Sequence, residues 1–266
     1  MKNSKSRIIR HLIIALMLVM SFSFTFQAKA SAKGKVYSLL ISEDNSVGAR
    51  NDVSTMKKYV SSKKLFPTYT GTRKVCTYSC NYNGYVSDVK GSMKTAYSKV
   101  SSGDLAIFYF SGHSSYYGLK LSGTECYYWR NLTEDLYNIA GKGAKIAVIL
   151  DTCYAARFYT NGYSYYGNNI RSKFIFIASS GASQRSIALT YKGKKMGMFT
   201  KWFSKGLTKT SSKKKAKYAA DANKNGTVNI SEILNYILAG YRKDKYYNIA
   251  PHGYLWTTEM SMAVYR

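Results

Sequence analysis

The sequence predicts an α/β protein built on a mostly parallel sheet. Three observations carry this. Two nearly continuous apolar runs, Asp104-Leu-Ala-Ile-Phe-Tyr-Phe-Ser-Gly-His113 and Lys145-Ile-Ala-Val-Ile-Leu-Asp-Thr-Cys153, are rich in β-branched and aromatic residues. That is the pattern of strands covered on both faces. Similar runs, Val36 to Ser42 and Lys173 to Ser179, alternate with segments of helical spacing, as parallel sheets require. Each of the two leading runs stops abruptly in polar residues, one on a His and one on a Cys. Ligands of open α/β sheets bind at the carboxyl ends of strands. As parallel neighbours, the two runs set His113 and Cys153 on one sheet edge, where a thiol and an imidazole suit nucleophilic catalysis.

Residues 1–30 stand apart from this pattern. Lys2, Lys5, Arg7 and Arg10 form a positive start, Leu12 to Phe26 is apolar, and Ala28-Lys-Ala30 offers a small-x-small cleavage site. This predicts a secretory signal peptide rather than a membrane span, followed by one domain over 31–266. No later run reaches the ~20 apolar residues of a transmembrane helix. Of 40 Lys and Arg, five lie in the first thirty residues. That leaves 35 against 13 Asp and Glu, a formal charge of +22. In an extracellular protein such a charge predicts attraction to anionic surfaces such as a bacterial cell wall. Nucleic acid is not an expected partner, because the lysines are scattered and no recognition motif is present.

Taken in order, Val36 to Ser42 reads as the first strand. Asn51 or Asp52 is placed to cap a helix to about Ser61, with Val53, Met56 and Val60 on one face. Residues 63–85 read as loop with one strand at most, and Val86 to Val100 as a helix. The His strand spans 104–111. Tyr116 to Trp129 alternates around Gly118 and Gly123, a β-hairpin signature. Leu132 to Ala140 reads as a helix, capped near Asn131 or Thr133 and stopped by Gly141. After the Cys strand, residues 154–172 are Tyr-, Asn- and Gly-rich and read as a mobile loop. Another strand follows at Lys173 to Ser179, then a helix from Met198 to Leu207. The last stretches are a helix from about Ser231 to Tyr241 and an edge strand within Pro251 to Arg266.

Base and nucleophile are tightly constrained. Past residue 30 there are two histidines, His113 and His252, and only His113 follows a strand. Taken singly, His113 reads as a loop histidine and Cys153 as a small buried hydrophobe. Together at matching strand ends, with Asp151 two residues before the Cys, they read as a dyad. The other cysteines are Cys76, Cys80 and Cys126. Cys76 and Cys80 are near enough to pair, and Cys126 has no partner except Cys153. Their spacing does not suit zinc.

These segments resemble the caspase, metacaspase and legumain group of cysteine peptidases. Tyr109-Phe-Ser-Gly-His113 is similar to the group's His motif and Leu150-Asp-Thr-Cys-Tyr154 to its Cys motif. Gly48-Ala-Arg-Asn-Asp52 resembles the Gly-x-x-Asn-Asp segment of metacaspases. Ala178-Ser-Ser-Gly, Ser183-Gln-Arg-Ser186, Gly197-Met-Phe-Thr200 and Gly206-Leu207 follow in the group's order. The resemblance spans residues 35–240. It implies a caspase-like three-layer fold, with a mostly parallel central sheet flanked by helices. It also implies a peptidase in which Cys153 is the nucleophile and His113 the acid/base. The backbone N–H groups of Gly112 and Cys153 would hold the oxyanion, each such donor being worth about 10²–10³ in rate. Asp151 and Asp52 would line the P1 pocket and favour Arg or Lys there, with Ser111 and Ser179 or Ser180 beside them. For Asp151 the alternative is a turn or cap role. The chain departs from the group after Cys153, where Tyr-Ala-Ala replaces the usual small polar residue and Gly.

A second motif lies near the C-terminus. Asp221-Ala-Asn-Lys-Asn-Gly-Thr-Val-Asn-Ile-Ser-Glu232 matches the EF-hand calcium loop at every position. Asp221, Asn223, Asn225, Thr227, Asn229 and Glu232 are the expected ligands, and a helix follows. The alternative is a polar turn. With two charged ligands, Ca²⁺ affinity is expected at about 10⁻⁴–10⁻³ M; the cysteine chemistry itself needs no cofactor. The leading expectation is therefore a secreted, calcium-binding, self-processing endopeptidase acting on proteins or peptides. Its candidate self-cleavage segments are Lys192 to Lys195 and Lys213 to Lys217. The other readings are an inactive calcium-dependent surface-binding protein on the same fold, and a transfer or ligation reaction at the same dyad.

Overall fold

In the computed structural model, residues 34–43, 47–80, 83–167, 173–210, 217–255 and 263–265 are described. The signal segment 1–30 and most of Lys213 to Lys217 lie outside them. Strands β1 (Val36–Ser42), β2 (Arg73–Ser79), β3 (Leu105–Ser111), β6 (Lys145–Asp151) and β7 (Phe174–Ala178) are parallel, and β11 (His252–Leu255) closes the sheet antiparallel to β7. Their order is β11-β7-β6-β3-β1-β2. The strands β3 and β6 are adjacent and in register, with Ser111 opposite Asp151.

Period-two alternation sends each strand's side chains to two cores. Phe108, Phe110, Val148 and Leu150 pack under α2 (Val86–Ala96), α3 (Trp129–Ala140) and α4 (Arg157–Tyr166). Ile107, Tyr109, Ala147 and Ile149 pack under α1 (Ala49–Val60), α5 (Met198–Gly206) and α6 (Ile230–Lys243). The result is the expected three-layer α/β fold. Among the described residues, three two-stranded ribbons decorate it: β4 (Gly118–Lys120) with β5 (Cys126–Tyr128), β8 (Ala188–Tyr191) with β9 (Lys194–Gly197), and β10 (Val228–Asn229) with β12 (Ala263–Tyr265).

Several elements differ from expectation. Helix α1 starts at Ala49 behind Gly48, whose φ is +81, with no side-chain cap. Asp52 therefore sits in the first turn, buried, instead of capping. Helix α3 begins at Trp129 and has no side-chain cap either. The segment 154–172 holds a helix where a mobile loop was expected: α4 is pinned by Phe158 against Phe174 and Phe176, and by Tyr166 stacked on Tyr137 at 4.4 Å. The β8–β9 ribbon was not anticipated. Its signal was Lys192-Gly193, both at positive φ (+50 and +74), the geometry of a two-residue hairpin turn. All four cysteines are free thiols, so Cys76 and Cys80 are not bridged. No helix among the described residues is long and apolar enough to cross a membrane.

Candidate active site

The site forms where β3 and β6 end. Gly112 leaves β3 at φ +151, and a Cβ there would fall 2.5 Å from the Glu43 Cβ, so only glycine fits. Glu43, the first residue past β1, is 4% exposed, and its Oε2 accepts the His113 N–H at 2.8 Å. The turn carrying His113 is thus clamped to the end of β1 by a carboxylate. Sequence reasoning missed this residue. On the other side, Thr152 and Cys153 continue β6. The Thr152 hydroxyl donates to the Gly112 carbonyl at 2.7 Å and ties the two turns together.

One cleft of ≈ 410 Å³ is lined by Asp52, Ser111, Gly112, His113, Asp151 and Cys153, together with Ser186 to Ala188 and Gly197. Six of the expected site residues thus meet in one place. Ser179 and Ser180 do not join them. Both are fully buried behind the nucleophile turn, where each hydroxyl donates to the Thr152 carbonyl at 2.9 Å. The Ser179 hydroxyl also accepts the Thr152 N–H at 3.0 Å, and the Ser180 hydroxyl accepts the Ala155 N–H at 3.2 Å. They brace the nucleophile turn rather than line the pocket. Behind them, the Tyr241 hydroxyl at the end of α6 donates to the Ser179 carbonyl at 3.0 Å.

Two carboxylates form the floor of the cleft. Asp52 accepts the Ser111 hydroxyl at 2.7 Å and the Gly197 N–H at 3.0 Å. Asp151 accepts the Thr200 hydroxyl at 2.7 Å, the Thr200 N–H at 3.1 Å and the Ser186 hydroxyl at 3.4 Å. Gly197 is required here, because a Cβ would fall 2.0 Å from Asp151 Oδ2. Burial and the neighbouring Asp151 charge hold Asp52 well above the usual carboxylate range. Burial raises Asp151 to about 6.

Burial also raises the Cys153 thiol above its ordinary value, against the opposing pull of a backbone hydrogen bond from Ser186 and the Arg185 charge. At neutral pH Cys153 rests as a thiol and needs a base during attack. The expected oxyanion donor Gly112 is already engaged, its N–H directed to the Asp151 carbonyl at 3.3 Å. The N–H groups of His113, Thr152 and Tyr154 are likewise engaged, which leaves those of Ser114 and Cys153 as the candidate donors of the two turns. The Ser114 hydroxyl donates to the Cys153 carbonyl, which holds the two backbones together.

The caspase domain (peptidase C14) family model matches residues 37–248. The chain belongs to the caspase-domain family. Its fold is similar to the crystal structure of caspase-1 from Spodoptera frugiperda: TM-score 0.51 at 12% identity, covering 85% of this chain and 88% of that one. No curated protein sequence matches it. Membership assigns this caspase domain to a family of cysteine peptidases.

The segment Asp221 to Glu232, expected to bind calcium, is not among the cleft-lining residues and lies ahead of α6. Asp221 accepts the N–H groups of Asn225 (3.1 Å) and Gly226 (3.0 Å). Glu232 accepts those of Ala222, Asn223 and Asn229, and Asn229 and Glu232 also form the capping box of α6. Residues 217–220 are turn and bridge, so this segment has an exit helix without an entering one directly before it. No group of three or more His, Cys, Asp or Glu converges among the described residues. The loop instead combines two carboxylates with Asn and backbone oxygens, a donor set that suits a hard cation.

Proposed function

We propose that this protein is a secreted cysteine endopeptidase that cuts after Arg or Lys. The single observation that carries this reading is that His113 and Cys153 line one cleft whose floor holds Asp52 and Asp151. As the Cys153 sulfur attacks the scissile carbonyl, its proton passes to His113. The tetrahedral oxyanion takes the N–H groups of Cys153 and Ser114. His113 then protonates the leaving amine, and water, deprotonated by the same imidazole, hydrolyses the thioester. Glu43 keeps His113 in place through its backbone. A guanidinium or ammonium entering the pocket supplies the countercharge that the two crowded carboxylates lack, which favours a basic P1 residue.

Calcium is a proposed structural partner. Asp221, Asn223, Asn225, the Thr227 carbonyl, Asn229 and Glu232 would hold it, with Glu232 giving up loop N–H groups to do so. Self-processing is proposed at Lys192 to Lys195, which is exposed at the β8–β9 turn. Intact mass after incubation with calcium checks it, and an unchanged mass counts against it. The test of the main reading uses residues 31–266 with fluorogenic peptides carrying Arg, Lys, Asn or Asp at P1, beside Cys153→Ala. Turnover of Arg and Lys peptides that is lost in Cys153→Ala is expected. Turnover only after Asn or Asp would keep the dyad and overturn the pocket. No turnover would favour a binding protein on the same fold.

A further inference from the structure

The residue after the nucleophile carries a feature of opposite charge to the pocket. Tyr154 lies in the left-handed region at φ +51, held there by its N–H donating to the Gln184 carbonyl at 2.7 Å. Its ring meets Tyr116 edge-on, with centroids 6.3 Å apart. The guanidinium of Arg157 covers the face of Tyr116, and its Nε donates to the Ala182 carbonyl at 3.0 Å. Arg185 follows Gln184, whose carbonyl accepts the Tyr154 N–H, and precedes Ser186, which lines the cleft; its guanidinium acts electrostatically on the Tyr154 phenol and the Cys153 thiol. One guanidinium, that of Arg157, is therefore fixed on this aromatic run, and a second, that of Arg185, is carried by the segment that borders the cleft. Tyr116 is 46% exposed, its neighbour Tyr117 is 68% exposed, and Arg185 is open to solvent. Planar guanidiniums on aromatic backing are suited to carboxylates. The aromatic faces add apolar contact for the stem of an incoming side chain.

We propose that Arg185 and Arg157, beside the Tyr116–Tyr154 pair, form a second subsite of the cleft that takes an acidic side chain adjacent to the P1 residue. The inference rests on the peptidase reading and adds a rule to it: the preferred bond follows a basic residue that has an acidic neighbour, at P2 or at P1′. The rule also ranks the chain's own basic turn. Lys192 has Tyr191 and Gly193 as neighbours, whereas Lys194 and Lys195 each adjoin a lysine. Self-cleavage is then expected after Lys192.

The test compares internally quenched peptides with Lys at P1 and Glu, Ala or Lys at P2 or at P1′. Turnover is measured in the wild type and in Arg185→Glu. Binding of the same peptides to Cys153→Ala, with and without Arg185→Glu, is measured by fluorescence anisotropy. Glu is expected to exceed Ala by roughly fivefold at one of the two positions, the scale of a strong exposed ion pair. Lys should fall below Ala, and the order should reverse in Arg185→Glu. Equal turnover of all three peptides overturns the subsite and leaves the peptidase reading intact. No turnover at all removes the peptidase reading. The subsite then survives only if Cys153→Ala still binds Glu peptides more tightly than Lys peptides and Arg185→Glu inverts that order.

Discussion

A hydrogen bond to the His113 backbone links Glu43 to the dyad. Glu43→Ala removes the acceptor and leaves a part-buried N–H unpaired, a cost of about 1–3 kcal/mol. We expect kcat to fall about tenfold or more, since that free energy sets the His113 position, with KM little changed. Glu43→Gln keeps an acceptor oxygen and should restore most of kcat; steady-state kinetics on the two variants decide this. The carboxylate floor makes a separate prediction about pH. Asp151 has its value raised to about 6, and Asp52 lies well above the usual range. A basic P1 binds the ionised form, so its affinity is present above pH 6 and weakens as pH falls through that value, by up to about tenfold per unit per proton. A pH series should show KM for Lys peptides rising below pH 6. At this scale the sequence showed His113, Cys153, Asp52, Ser111 and Asp151, because strand ends and short motifs bring them together. Glu43 was illegible, since nothing local signals a carboxylate that reaches a backbone N–H 70 residues away. The serines after β7 were misread because strand-end polarity does not say which side of the turn a hydroxyl faces.

Among the elements, strands were the easiest to read. Four of the five parallel strands are buried runs, whereas β2, at the sheet edge with exposed residues in alternation, was legible only as one possible strand in a loop; the edge strand near the C-terminus is where it was expected. Helix α4 was not read, because its polar, Gly-containing sequence has weak helical propensity and is held by tertiary packing. Phe158 is the anchor, 2% exposed and stacked on Phe176 at 5.5 Å. Phe158→Ala should cost about 3–5 kcal/mol by opening a cavity under α4. Because α4 follows the nucleophile turn directly, peptidase activity should fall at temperatures where the variant is still largely folded. Thermal melts recorded beside activity curves would check this, and coincident loss of both would argue against a local role for α4.

One helix, α6, runs from the proposed calcium loop to the turn behind the nucleophile. Glu232 caps α6 at one end, and Tyr241 near the other end donates to the Ser179 carbonyl. Ser179 in turn brackets Thr152, the residue before Cys153. Calcium at ten times its Kd would stabilise the fold by about 1.4 kcal/mol, a rise in Tm of roughly 2–5 °C at this size. Glu232→Gln, which keeps the helix cap, should abolish that rise, and calorimetry with millimolar Ca²⁺ tests it. A strut of this kind transmits in both directions. Whatever factor calcium adds to the affinity of the cleft for a reversible peptide aldehyde, the aldehyde must add to the affinity of the loop for calcium. Occupying Cys153 should therefore make the loop a better calcium trap, so that a protein engaged with substrate holds its metal while an idle one releases it.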